Sequence, residues 1–116
     1  IGVLFLDEGE RLVLVDSSGR EISGNRLFAV LCSLVIHTQP KARIAMSVAA
    51  PRLLEESLRR LGAEVIRTKA DVRSLVQSAQ SDQVDFAGDD RGGFIFPTLH
   101  PGFDAPFSFA QVAAML

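Results

Sequence analysis

The stretch "RIAMSVAAPRLLEESLRRLGAEVIRT", residues 43–68, is the most informative about the fold, because it predicts a strand, a helix and a second strand in succession. The apolar segment 43–50 is typical of a buried strand, and Pro51 suits the first turn of a helix. Gly62 is a typical C-terminal stop for that helix, and the next strand follows at 63–68. Two strands joined by a helix indicate a parallel pair in an α/β domain.

The helix in this unit has two distinct faces. Leu54, Leu58 and Leu61 recur at helical spacing and predict an inward stripe. Its glutamate–arginine pairs lie on the predicted solvent face, where oppositely charged neighbours stabilise a helix.

The same alternation continues on both sides of residues 43–68. Upstream we expect strands at 2–7 and 11–16 around an acidic turn, then a turn at 17–21 and a helix at about 25–38. Downstream we expect a helix at 70–80, strands at 84–88 and 93–97, and a last helix from near Pro106 to Leu116. The sequence therefore predicts a three-layer α/β/α fold with a mixed, mostly parallel sheet of about four strands. Ligands of such sheets bind beyond the carboxyl ends of the strands.

Composition excludes several classes of protein. At 116 residues with 47% apolar and 22% charged residues, the chain fits one ordinary globular domain. A net charge of −2 argues against a nucleic-acid partner. No apolar run reaches the roughly 18 residues that span a bilayer. The single cysteine, Cys32, lies in an apolar run and is predicted to be a buried, inert thiol, which fits a reducing, cytoplasmic location.

Because the chain starts at Ile1, we expect a piece of a longer protein. We expect residues 1–16 to form a strand pair that ends a preceding domain, and residues 17–116 to form the α/β/α domain itself.

A charged, glycine-rich segment, "GDDRGG" (88–93), leaves a predicted strand end. Aspartates there can accept hydrogen bonds from sugar hydroxyls, and an arginine offers a planar fork for phosphate or carboxylate. Glycines let the backbone approach a ligand or adopt positive φ. An ordinary surface turn is the alternative. The candidate substrate-binding residues are Gly88, Asp89, Asp90, Arg91 and Gly92.

Two further groups of polar residues are candidates for a metal site and for an acid or base. In the turn "LDEGER" (6–11), Glu8 and Glu10 are candidate Mg²⁺ ligands, with a solvated hairpin turn as the alternative. His100 is a candidate acid or base because Asp104 follows on the same loop, with a structural hydrogen bond as the alternative. No histidine or cysteine has the spacing of a zinc site.

The order of the segments resembles a known family. The run "LDEGERLVLVDSSGREISGNRLFAVL" (6–31) resembles the junction of the second and third domains of the α-D-phosphohexomutases, the phosphomannomutase and phosphoglucomutase family. "EVIRTKADVRSLVQ" (64–77) resembles a later segment of that domain. "FAGDDRGGFIF" (86–96) resembles the family's loop G-E-x-S-G-H, which contacts the hydroxyls of the bound sugar phosphate.

The resemblance implies a sugar-recognition role for residues 88–92. The sequence departs from the family pattern in the metal loop. Leu6 stands where the metal loop D-G-D-x-D-R has its first aspartate, and Glu8 and Glu10 stand at the next two. The resemblance therefore implies Mg²⁺ in active relatives, none in this chain, and no catalytic residue or activity of this chain alone.

The ending "FIFPTLHPGFDA" (94–105) looks similar to mutase-like regions of bacterial proteins called mannose-1-phosphate guanylyltransferase or NDP-sugar pyrophosphorylase. This implies a sugar-nucleotide enzyme with an upstream nucleotidyltransferase domain. Expected partners are a hexose 1- or 6-phosphate, neighbouring domains and a second copy of the chain. The alternatives are a degenerate structural or regulatory module that packs on a nucleotidyltransferase or self-associates, and an unrelated nucleotide-binding doubly wound domain.

Overall fold

A computed structural model describes residues 2–6, 9–22, 24–69, 72–81, 84–97 and 103–114. Seven strands and four helices lie within these ranges. In chain order they are β1 (Gly2–Leu6), β2 (Arg11–Val15), β3 (Glu21–Ile22), α1 (Gly24–Thr38), β4 (Arg43–Ser47), α2 (Arg52–Arg60), β5 (Glu64–Thr68), α3 (Val72–Ser81), β6 (Phe86–Gly88), β7 (Phe94–Ile95) and α4 (Ala105–Ala113).

The central sheet has the order β5-β4-β6-β7. β4 is parallel to both β5 and β6, and β7 is antiparallel to β6. Alternate residues of β4 reach opposite faces, as strand geometry requires. Ile44 and Met46 pack with α1, α2 and α4, whereas Ala45 packs with α3. The predicted three-layer α/β/α fold with a mostly parallel four-stranded sheet is confirmed.

A second, antiparallel sheet of order β1-β2-β3 precedes the central sheet in sequence. The predicted strand pair is confirmed as β1 and β2, but the turn predicted at 17–21 omitted β3, whose Glu21 and Ile22 pair with β2. Leu12 and Leu14 of β2 are buried in the same core cluster as α1 and α4. The hairpin therefore packs on the helical layer.

Two details of the central unit differ from prediction. β4 ends at Ser47, three residues early, because Ala50 N donates to Ser47 O at 3.0 Å and closes a turn. Leu61 is 57% exposed, since α2 ends at Arg60 and leaves it beyond the packed stripe. Gly62 adopts φ +103° and ends the helix as predicted.

Aromatic rings fill the centre of the core. The rings of Phe28, Phe86 and Phe94 are all nearly parallel, with centroids 5.5 to 6.2 Å apart. Stacks of this kind stabilise the fold beyond what burial of the rings contributes by itself. In the described part of the chain, no helix combines the length and the apolar character that a bilayer crossing would need.

Candidate functional site

The loop that joins β6 to β7, residues 89–93, is the candidate site and is named the β6–β7 loop below. It follows the carboxyl end of β6, beside the carboxyl end of β4 at Ser47, since the two strands are parallel neighbours. The loop therefore lies at the edge of the sheet where ligands of α/β domains bind.

Asp89 gives this loop its shape. Its Oδ1 accepts hydrogen bonds from the backbone N–H groups of Arg91 (2.9 Å) and Gly93 (2.8 Å). Its own N–H donates to Gly93 O at 3.0 Å. Aspartate commonly closes turns in this way. Because Oδ1 already has two donors, Asp89 holds the loop, and its contact with a substrate hydroxyl stays a prediction.

The glycines around the loop bring other parts of the protein close to it. Gly92 has φ +91°, and a Cβ there would overlap the carbonyl of Leu12. Leu12 N donates to Gly92 O at 2.8 Å, so the hairpin hydrogen-bonds directly to the loop. A Cβ at Gly24 would overlap the carbonyl of Asp90, and one at Gly88 would meet the Phe28 ring. These contacts account for the glycines, and a substrate role for Gly88 and Gly92 stays a prediction.

The side chains of Asp90 and Arg91 are exposed at the tip of the loop. Within the described ranges, neither makes a side-chain hydrogen bond or ion pair, although the carbonyl of Arg91 accepts from Arg11 Nε at 2.9 Å. The loop therefore holds its backbone in place and presents one carboxylate and one guanidinium to solvent.

The turn between β4 and α2, residues 48–51, lies at the same edge and was missed as a structured feature by the sequence analysis. Arg67 of β5 donates through Nη1 to the carbonyls of Ser47 and Ala50, both at 2.9 Å. Glu55 accepts from Arg67 Nε at 2.6 Å and from Arg59 Nε at 2.9 Å. These bonds, to Arg67 first and Arg59 second, lower the pKa of Glu55. Only the charged pattern of α2 signalled this cluster.

The candidate metal ligands do not form a site in the part of the chain that is described. Glu8 lies outside the described residues, and Glu10 is exposed in the β1–β2 turn. Leu6 carries no ligand atom for Mg²⁺, which requires near-octahedral oxygen ligands. Among the described residues no group of three histidine, cysteine, aspartate or glutamate side chains could hold a metal ion. The described donors therefore do not fit the metal that the family resemblance implies.

The remaining candidate residues have structural surroundings. Asp104 Oδ1 accepts from Phe107 N at 3.0 Å and caps α4, whereas His100 lies outside the described residues. Cys32 is fully buried, and burial raises its pKa, so its thiol is protonated and unreactive.

Comparisons with known proteins agree with this architecture. Residues 23–116 match the family model described as phosphoglucomutase/phosphomannomutase, alpha/beta/alpha domain III. The whole chain is 29% identical to a phosphoglucosamine mutase of Methanococcus vannielii. Over 96% of its length it is 28% identical to a phosphoglucomutase/phosphomannomutase of Thermococcus kodakarensis. It spans 26% and 24% of those two proteins, about a quarter of each.

A solved structure shows the same fold. A phosphoglucomutase/phosphomannomutase family protein from Burkholderia thailandensis is similar over 96% of this chain and 24% of its own, with a TM-score of 0.85 and 25% identity.

Proposed function

The chain belongs to the phosphoglucomutase/phosphomannomutase family as its alpha/beta/alpha domain III, and we propose that it recognises the sugar of a hexose phosphate through the tip of its β6–β7 loop. In this proposal Asp90 accepts hydrogen bonds from sugar hydroxyls, and Arg91 donates to a hydroxyl or to the phosphate. Gly88 and Gly92 hold the loop, and Asp89 holds it through Oδ1 while its other carboxylate oxygen accepts from a sugar hydroxyl.

One observation carries the proposal: hydrogen bonds hold the backbone of the loop, while the side chains of Asp90 and Arg91 remain exposed. Asp89 fixes the backbone, and Leu12 and Arg11 anchor it to the hairpin. A loop that is already ordered loses less conformational entropy when it binds a ligand. Asp90 and Arg91 therefore meet a polar ligand at lower cost than the same side chains on a free loop.

The role proposed for this chain is binding and orientation. The described residues offer no nucleophile with an adjacent base, and Cys32 is buried and protonated. Phosphoryl transfer in the whole protein would need groups supplied by the parts of the relatives that this chain does not span. Activity of the intact protein is accordingly a separate proposal.

The test is calorimetric titration of the protein with glucose 1-phosphate and mannose 1-phosphate. We expect Arg91→Gln to weaken binding about 10-fold or more, because a charge-assisted hydrogen bond is lost. Asp90→Asn should weaken it less, since an amide oxygen still accepts. Arg60→Gln, at the exposed end of α2, is the matched control and should leave the Kd unchanged. Equal affinities for Arg91→Gln and Arg60→Gln would refute the role of the loop.

A second candidate, a structural module that self-associates or packs on a neighbouring domain, is favoured by the outer hairpin. Leu4 and Phe5 of β1 are 53% and 47% exposed, and β1 is an edge strand of its sheet. Exposed apolar edge strands are typical of interfaces. Sedimentation equilibrium of Leu4→Gln tests this, with Leu53→Gln on α2 as the control. A change in mass for Leu4→Gln alone would support it.

The wider setting, a sugar-nucleotide enzyme with an upstream nucleotidyltransferase domain, rests only on the resemblance of residues 94–105. We retain it as a proposal. Incubation of the intact protein with GTP and mannose 1-phosphate tests it, with release of pyrophosphate as the expected result.

A further inference from the structure

A cavity of about 170 Å³ lies between α1 and α4, at the opposite edge of the sheet from the β6–β7 loop. Asp85, just before β6, lines it, and so does Gln39, the first residue after α1 on the way to β4. The amino ends of these parallel strands define that edge. The cavity is therefore separate from the proposed sugar-phosphate site, and an occupant would not compete with a ligand there.

The apolar part of the wall fits one aromatic ring. Leu34, Val35, Phe96 and Phe107 line this part. Phe96 and Phe107 meet edge to face, with centroids 4.9 Å apart and planes at 77°. A third ring can extend such an arrangement, since rings prefer edge-to-face or offset contacts. Apolar cavities of about 150 Å³ admit benzene, so the volume suits a single ring.

The polar part of the wall selects the substituent on that ring. Asp85 Oδ2 accepts from Arg43 N at 2.8 Å, which holds the carboxylate in place. Among the described residues, no group donates a hydrogen bond to Asp85 Oδ1. The side-chain amides of Gln39 and Gln111 also have no hydrogen-bond partner within the described ranges. A carboxylate beside an apolar wall attracts a cationic N–H donor and repels an anion.

We propose that this cavity binds a small aromatic cation, with its ring against Phe96 and Phe107 and its ammonium group on Asp85. Such a ligand would contact both α1 and α4. Because it binds the folded state, it would raise the stability of the protein by mass action.

The experiment compares two probes of the same shape and opposite charge, benzylamine and benzoate, at pH 7. Methyl-detected NMR of the protein follows the leucine and valine signals of α1. We expect benzylamine to shift Leu34 and Val35 in a saturable way, with a Kd at least 10-fold below that of benzoate. Equal binding of the two probes, or shifts that avoid α1, would overturn the proposal.

Two variants make the test specific. Asp85→Asn keeps an oxygen acceptor for Arg43 N and should weaken benzylamine about 10-fold. Thr38→Trp, at the cavity wall on the exposed side of α1, should block the site, whereas Val30→Trp on the same helix should not. If benzylamine binds Thr38→Trp as well as it binds Val30→Trp, the cavity is not its site and the proposal fails.

Discussion

The β6–β7 loop and the β4–α2 turn lie side by side at one edge of the sheet, yet they are stabilised by opposite means. The loop depends on missing side chains: Gly92 lets the carbonyl of Leu12 approach, and Gly24 lets that of Asp90 approach. The turn depends on a long side chain, because Arg67 binds two of its carbonyls and is held by Glu55.

This contrast identifies the residues that remain available for a ligand. In the turn, the charged groups are engaged with one another and with the backbone. In the loop, backbone contacts do the anchoring, and Asp90 and Arg91 remain exposed. A glycine-rich loop can therefore be rigid and still present charge, and the following predictions test that distinction.

The largest effect is expected at Gly92. Gly92→Val should destabilise the protein by more than about 3 kcal/mol, because it adds a positive-φ strain and a backbone overlap with Leu12. Gly19 also has positive φ, +83°, but a Cβ there meets nothing within 4 Å. Gly19→Val is the control and should cost about 1–2 kcal/mol in urea unfolding. Similar losses of stability in the two variants would show that the close approach of the Leu12 carbonyl does not account for the cost at Gly92.

The next effect is expected at Arg67. Arg67→Met should cost about 2–3 kcal/mol, because two carbonyls and Glu55 lose their charged donor. Arg60→Met, at the exposed last residue of α2, should stay within about 0.5 kcal/mol in the same unfolding assay. If both variants were equally stable, the turn would hold its shape without the guanidinium.

A smaller effect is expected at Asp89. Asp89→Ala should cost about 1–2 kcal/mol, because two backbone N–H groups lose their acceptor. Asp89→Asn keeps one acceptor oxygen and should cost less. Thermal unfolding measures both. Asp89→Ala should also weaken sugar-phosphate binding, because the loop loses its order. Asp89→Asn removes the charge but keeps an acceptor oxygen, so it separates the effect of loop shape from the effect of charge. An Asn variant as unstable as the Ala variant would contradict the role of Oδ1.

The smallest effect is a pH dependence that belongs to the turn. Folding lowers the pKa of Glu55, chiefly through Arg67 and then Arg59. The stability it contributes is present above its ordinary pKa of about 4.3 and is lost as pH falls through the lower folded value. Wild type should therefore lose its advantage over Glu55→Gln on acidification from pH 5 to pH 3. A constant difference over that range would contradict the ion pairing.

Much of the architecture followed from local sequence patterns. The β–α–β unit, α1, the hairpin and the buried Cys32 were all predicted, because side-chain periodicity and helix caps are properties of neighbouring residues. The charged loop after β6 was also predicted, since glycine and aspartate between two apolar runs are typical of a turn. The family resemblance was carried by the same short segments.

The contacts between those segments depend on how the layers pack in three dimensions. Gly92 needs to be glycine because of Leu12, which is 80 positions earlier, and Arg67 reaches carbonyls that belong to another element. β3 was missed because two residues carry too little periodicity to be seen without their partner strand. Local patterns set the faces of helices and strands, whereas the close approach of distant backbones arises when the layers pack together.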